Sequence, residues 1–81
     1  MNNITVQKRM EKSLSDIDKV YKDITSFMSL QDRIIYCECL IKENEHYLHN
    51  HTNRLDIIQK TRYNEMIVAA KMELEKLKAP K

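Results

Sequence analysis

Glu45, His46, His49 and His51 bring a carboxylate and three imidazoles into one short stretch, and these are groups that ligate zinc. Glu45 and His49 stand at i,i+4 and would share a helical face. His46 and His49 are only i,i+3, and His51 falls where the chain is expected to reverse. Cys37 and Cys39 follow no zinc spacing. The cluster therefore reads as solvated turn residues, and no metal site is expected. His49, Asn50 and His51 spell the letters of a nuclease motif, but three residues in a polar turn lack the strand, helix and metal framework that such an enzyme needs.

Nucleophilic chemistry is no better supported. Ser13, Ser15, Ser26 and Ser29 have no histidine and carboxylate whose placement forces a triad. Cys37 lies in the apolar run from Ile34 to Ile41, where packed surroundings keep a thiol inert. No cofactor-binding fingerprint is present. The chain is expected to have no catalytic residue, no cofactor and no small-molecule substrate.

Phosphate contacts are a separate possibility. Lys60, Arg62, Lys71, Lys76, Lys78 and Lys81 make the C-terminal third basic, with seven Lys/Arg against four Asp/Glu from residue 54 onward. Residues 28–53 carry two against four, and residues 1–27 carry five against four, so the acidic middle can sit against the basic ends. The cations form no dense stripe, and the helices are too long for a compact helix-turn-helix. Nucleic-acid binding by the basic C-terminal helix is the alternative function, behind protein–protein interaction. Membrane-surface binding has no more support, because protein packing explains the amphipathic faces without lipid.

The elements that must position these residues are helices. The chain has 81 residues with no glycine and a single proline, Pro80, so no interior breaker opposes a helix, while strands would lack tight-turn residues. The fold class expected is all-α: one domain, a small antiparallel helical bundle or helical hairpin with coiled-coil-like packing. A chain this short buries only about 60% of its unfolded surface. Size alone therefore makes a partner plausible.

The strongest pattern runs from Met10 to Met28. Met10, Leu14, Ile17, Tyr21, Ile24 and Met28 recur at heptad spacing, and Val20 and Phe27 widen the stripe, which suits packing against two neighbours. The first helix is expected over residues 6–27, opened by Asn3 or Thr5. Its outer face offers Lys12–Asp16, Asp18–Lys22 and Lys19–Asp23 as i,i+4 pairs. Leu14, Ile17, Val20, Tyr21, Ile24 and Phe27 are the candidate protein interface, for self-association or a helical partner protein.

Ser29 and Asp32 resemble a capping arrangement, which starts a second helix over residues 30–49. Against a break there, Val20, Phe27, Ile34, Ile41, Leu48 and Leu55 recur every seven residues, as they would along one continuous rod. Asn44 interrupts the apolar face. A reversal is expected over residues 49–53, where asparagine tolerates left-handed geometry and Thr52 or Asn53 can cap the next helix. The third helix is expected over residues 54–78. Leu55 and Ile58 begin its apolar face and Tyr63, Ile67, Ala70, Leu74 and Leu77 continue it, with a phase shift between Ile58 and Tyr63. Ala69 and Ala70 permit close helix approach.

On a helix, Cys37 and Cys39 point about 200° apart, which excludes an ordinary disulfide between them and groups Cys37 with Ile34 and Ile41. Unpaired thiols suit the cytoplasm or another reducing intracellular compartment. No secretory signal or apolar run of transmembrane length is seen in the sequence.

Zinc titration checks the reading of the histidines. Metal-free protein should show no stoichiometric zinc binding and no change in circular dichroism at neutral pH. Ordering on addition of zinc would show that the histidines form a site.

Overall fold

A computed structural model describes residues 12–79, and these fold as helices with no strand among them. Two short helices, α1 (Leu14–Ile17) and α2 (Lys19–Ile24), run into a 3-10 turn over Thr25–Phe27 and together form an N-terminal arm. Two long helices, α3 (Leu30–His51) and α4 (Ile57–Lys78), pair as a hairpin. The ion pairs Glu38–Lys78 at 3.2 Å and Glu45–Lys71 at 3.3 Å, with Tyr47 stacked on Tyr63, set the two antiparallel. The arm packs against α4 and closes the hairpin into a small all-α bundle.

The continuous first helix expected over residues 6–27 is not what forms, and residues 6–11, with Met10 and the proposed caps Asn3 and Thr5, lie outside the described residues. Ser13 and Asp16 make a reciprocal capping box that starts α1. Asp18 then leaves the helical region, at φ −117° and ψ 98°, and its carboxylate accepts from the Tyr21 amide at 3.2 Å. Short polar side chains compete with the helical ladder for backbone amides, so serine and aspartate can end one helix and begin another. A tertiary bond decides the matter at Asp18, whose other oxygen accepts from the Tyr36 hydroxyl at 2.8 Å. None of the three expected i,i+4 pairs on this segment is among the ion pairs of the described residues.

The break at Ser29 does occur. Its side chain accepts from the Asp32 amide at 3.1 Å, and α3 begins at the next residue. The far end of α3 extends two residues beyond the expected His49. Contacts at i,i+4 support this extra turn: Asn50 with His46 at 2.8 Å, and the His51 ring both on the Tyr47 carbonyl and stacked on the Tyr47 ring.

The reversal consequently shifts to residues 52–56. The amides of Arg54 and Leu55 bond back to the His51 carbonyl, and no described residue takes a positive φ, so asparagine's left-handed tolerance is not used. The cap of α4 is Asp56, paired with Gln59 in a capping box, in place of the expected Thr52 or Asn53. Asn44 is satisfied within its own helix, its amide donating to the Leu40 carbonyl at 2.7 Å.

The core lies where the arm meets the hairpin. Leu14, Tyr21, Cys37, Ala69 and Ala70 are buried together, and Ile17, Tyr36, Leu40, Ile41, Met66, Leu74 and Leu77 pack around them. The paired alanines let the arm approach α4 closely. Ile58 does not join the packed face and is 62% exposed. Five helical residues rotate direction by about 140° between Ile58 and Tyr63, so the two cannot share one face.

The two acidic caps should differ in cost. Asp56→Ala removes a solvent-exposed cap and should destabilise by about 1 kcal/mol. Asp18→Ala removes a cap and also the acceptor of a part-buried hydroxyl, so about 2 kcal/mol or more is expected. Urea unfolding followed by circular dichroism compares them, and equal losses would show that the Tyr36 bond contributes nothing.

Candidate functional site

The six residues proposed as an interface divide into two groups. Leu14 and Tyr21 are buried in the core, and Ile17 and Ile24 are half-buried. Val20 and Phe27 are exposed, at 58% and 87%. One side of the stripe thus holds the arm to the hairpin while the other faces outward. Leu30, outside the six, is 55% exposed at the start of α3. Val20, Phe27 and Leu30 together make the α2–α3 corner apolar. Its spacing groups Leu30 with Ile34, Cys37, Ile41 and Leu48 on one face, and its exposure comes from its place in the first turn of α3, ahead of the buried Cys37.

The inward side is fastened by a polar network. Tyr21 has no exposed surface. Its hydroxyl donates to Glu73 Oε2 at 2.5 Å, while Arg33 Nε donates to the same hydroxyl at 3.4 Å and Arg33 Nη2 to Glu73 Oε2 at 3.3 Å. One residue from each of α2, α3 and α4 therefore meets at one point. The Tyr21 ring packs on that of Tyr36 with centroids 5.3 Å apart, and Tyr36 in turn reaches Asp18. Thr25 adds a hydroxyl bond to the Tyr21 carbonyl.

These phenols are held neutral. Burial first, and the bond to Glu73 second, push the Tyr21 hydroxyl up to about 12 from 10.0. Tyr36 is likewise raised to about 12, by burial and then by its bond to Asp18. Burial also raises the Cys37 thiol, which opposes the thiolate a nucleophile would need. Cys37 is buried and Cys39 exposed, as expected from their different directions on the helix. The arrangement does the work of a latch: its hydrogen bonds join the arm to both helices of the hairpin.

The other candidate chemistry is dispersed. No group of three or more potential ligands that could hold a metal is found among the described residues. Of the basic residues considered for phosphate contacts, Lys71 and Lys78 are engaged by Glu45 and Glu38 of α3, and Lys81 lies outside the described residues. The depressions on the surface are shallow. The one between arm and α4 is about 350 Å³ and is bordered by Lys12, Leu14, Ala69, Met72, Lys76 and the latch residue Glu73. No described helix is long and apolar enough to cross a membrane.

The latch has an alkaline signature. Because the folded protein holds the Tyr21 proton more tightly than the unfolded chain, its contribution is complete below pH 10 and is lost as pH rises through about 12. Tyr21→Phe should lose about 1–2 kcal/mol at neutral pH and should flatten part of the loss of stability between pH 10 and 12. Urea unfolding across that range measures both. An unchanged alkaline profile in the variant would remove Tyr21 from the latch.

Comparison of the chain with protein-family models, curated proteins and solved structures finds no match in any of the three.

Proposed function

We propose that this protein is a small non-enzymatic helical adaptor, assembly or regulatory protein that works by protein–protein interaction through the α2–α3 corner. The observation that carries the reading is the 87% exposure of Phe27, the only phenylalanine in the chain. A large aromatic left in water adds nothing to this fold. Beside Val20 and Leu30 it supplies the kind of anchor that dominates protein interfaces. The residues facing inward consume the rest of the heptad stripe, so the corner carries the part that remains for a partner.

The chemistry of the rest of the surface agrees. Contacts of Lys71 and Lys78 with α3 carboxylates reduce the positive charge that α4 can offer to phosphates, which favours a protein partner over a nucleic acid. Flanking charges contribute to solubility, whereas affinity should follow the apolar residues. An exposed ion pair is worth about 0.2–1 kcal/mol, and a fully buried phenylalanine about 1.5–3 kcal/mol.

Phe27→Ser and Leu30→Ser should therefore leave thermal unfolding nearly unchanged while weakening association about tenfold or more for each residue. Sedimentation of the purified protein across a concentration series, with capture of bound proteins by tagged wild type and variants, reads both effects. Ile57→Ser, at an exposed apolar residue on the opposite end of the hairpin, is the control. Retention of every complex by the Phe27 and Leu30 variants would refute the corner as the interface.

A further inference from the structure

We propose that the partner of the α2–α3 corner is a second copy of this chain, engaged by exchange of the N-terminal arm. The proposal rests on the reading of the corner as an interaction surface and gives it an occupant. In the closed chain the arm turns back onto its own hairpin. In the exchanged pair α2 and α3 straighten into one helix, and each arm docks on the hairpin of the other copy.

The hinge is two residues long. Between the 3-10 turn ending at Phe27 and the first residue of α3, only Met28 and Ser29 are extended, at φ −95°, ψ 139° and φ −68°, ψ 167°. Both φ values are already near the helical range, so straightening is largely a rotation of two ψ angles toward about −42°. Neither residue is glycine or proline, and both are acceptable inside a helix. A short hinge that can become helical is the setting in which arm exchange competes with self-closure.

The apolar pattern crosses this hinge without losing phase. Val20, Phe27, Ile34 and Ile41 recur at seven-residue intervals. Ile34 and Ile41 are half-buried in the closed chain, whereas Val20 and Phe27 are exposed. The bend is what separates the covered part of the line from the uncovered part. Once straight, the two hinge regions of a pair run antiparallel, and each Phe27 meets the corresponding stretch of the other copy.

The surface that receives the arm is already built. Tyr21 bonds to Glu73 and Arg33, and Asp18 to Tyr36, so every one of these bonds joins the arm to the hairpin. A second copy offers the same groups in the same arrangement. Exchange preserves this latch and adds the hinge interface. It forfeits the Ser29 cap but gives the Leu30 and Gln31 amides helical partners in the carbonyls of Ser26 and Phe27.

Lys12 and Lys76 border the same groove between arm and α4, and they report which copy the arm lies on. Light and heavy isotope-labelled protein is mixed in denaturant, refolded together, separated by gel filtration and treated with an amine-reactive crosslinker. In the dimer fraction about half of the Lys12–Lys76 crosslinks should join a light to a heavy peptide, as random pairing of copies requires, and the monomer fraction should contain none. Ser29→Ala removes the cap that holds the bend and should raise the association constant about fivefold or more. Two glycines inserted between Met28 and Ser29 should lower it. A dimer with only like-labelled crosslinks overturns exchange and leaves the corner as an ordinary interface. Absence of any dimer in both wild type and Ser29→Ala overturns the second copy as occupant. Loss of a different captured protein on Phe27→Ser would then still uphold the corner itself.

Discussion

Tyr21 is buried completely, and a buried phenol needs a hydrogen-bond partner. That requirement organises the molecule. Glu73 accepts a hydrogen bond from its hydroxyl, Arg33 pairs with Glu73, and the three residues belong to three helices. Cys37 of α3 and Ala69 and Ala70 of α4 are buried in one cluster with Tyr21 and Leu14 of the arm. The small residues on α4 are useful only because the arm comes close, and the arm comes close because its ring and hydroxyl are both accommodated.

The same requirement explains why the arm is not one helix. Asp18 serves the backbone of α2 and the hydroxyl of Tyr36 at once. Asp18 still makes both of its own ladder bonds, its amide donating to the Leu14 carbonyl at 2.8 Å and its carbonyl accepting from the Lys22 amide at 3.0 Å, but in fully helical geometry it could no longer cap Tyr21. Local capping by Ser13 and Asp18 divides the heptad stripe into short pieces, and tertiary bonds to α3 and α4 hold those pieces in position. Small chains have little apolar surface to spare, so polar contacts at the seam carry weight they would not have in a larger core. The outcome is a stripe whose two sides have different destinations: Leu14 and Tyr21 inward, Val20 and Phe27 outward.

This division is what the proposed function draws on. The proposed role would require part of the apolar surface to stay uncovered without unfolding or aggregation. Here Val20, Phe27 and Leu30 stay exposed around the α2–α3 corner, beside a serine cap, while Leu14 and Tyr21 of the same stripe close the interior; Ile57 and Ile58 are exposed at the opposite end of the hairpin. The two-residue hinge at Met28 and Ser29 lies inside that corner, so the backbone that shapes the surface is also the backbone best able to rearrange.

The sequence by itself determined the all-α class, the helix start after Ser29, the inward direction of Cys37 and the close-packing role of Ala69 and Ala70. These follow from composition, capping chemistry and helical periodicity, which act over a few residues. Helix lengths near the turn were less legible, because the i,i+4 contacts of His46, Tyr47, Asn50 and His51 extend α3 where asparagine content suggested a reversal. The capping serine and aspartate of the arm were visible as residue types, yet a strong heptad pattern argued for a continuous helix through them. Only the tertiary structure decided that Asp18 breaks it, since the Tyr36 hydroxyl that rewards the break is contributed by another helix. Likewise, periodicity placed Leu14, Ile17, Val20, Tyr21, Ile24 and Phe27 on one broad stripe but carried no information about which side would meet the hairpin. That choice was made by Glu73, 52 residues from Tyr21 along the chain, through a bond that no local pattern encodes.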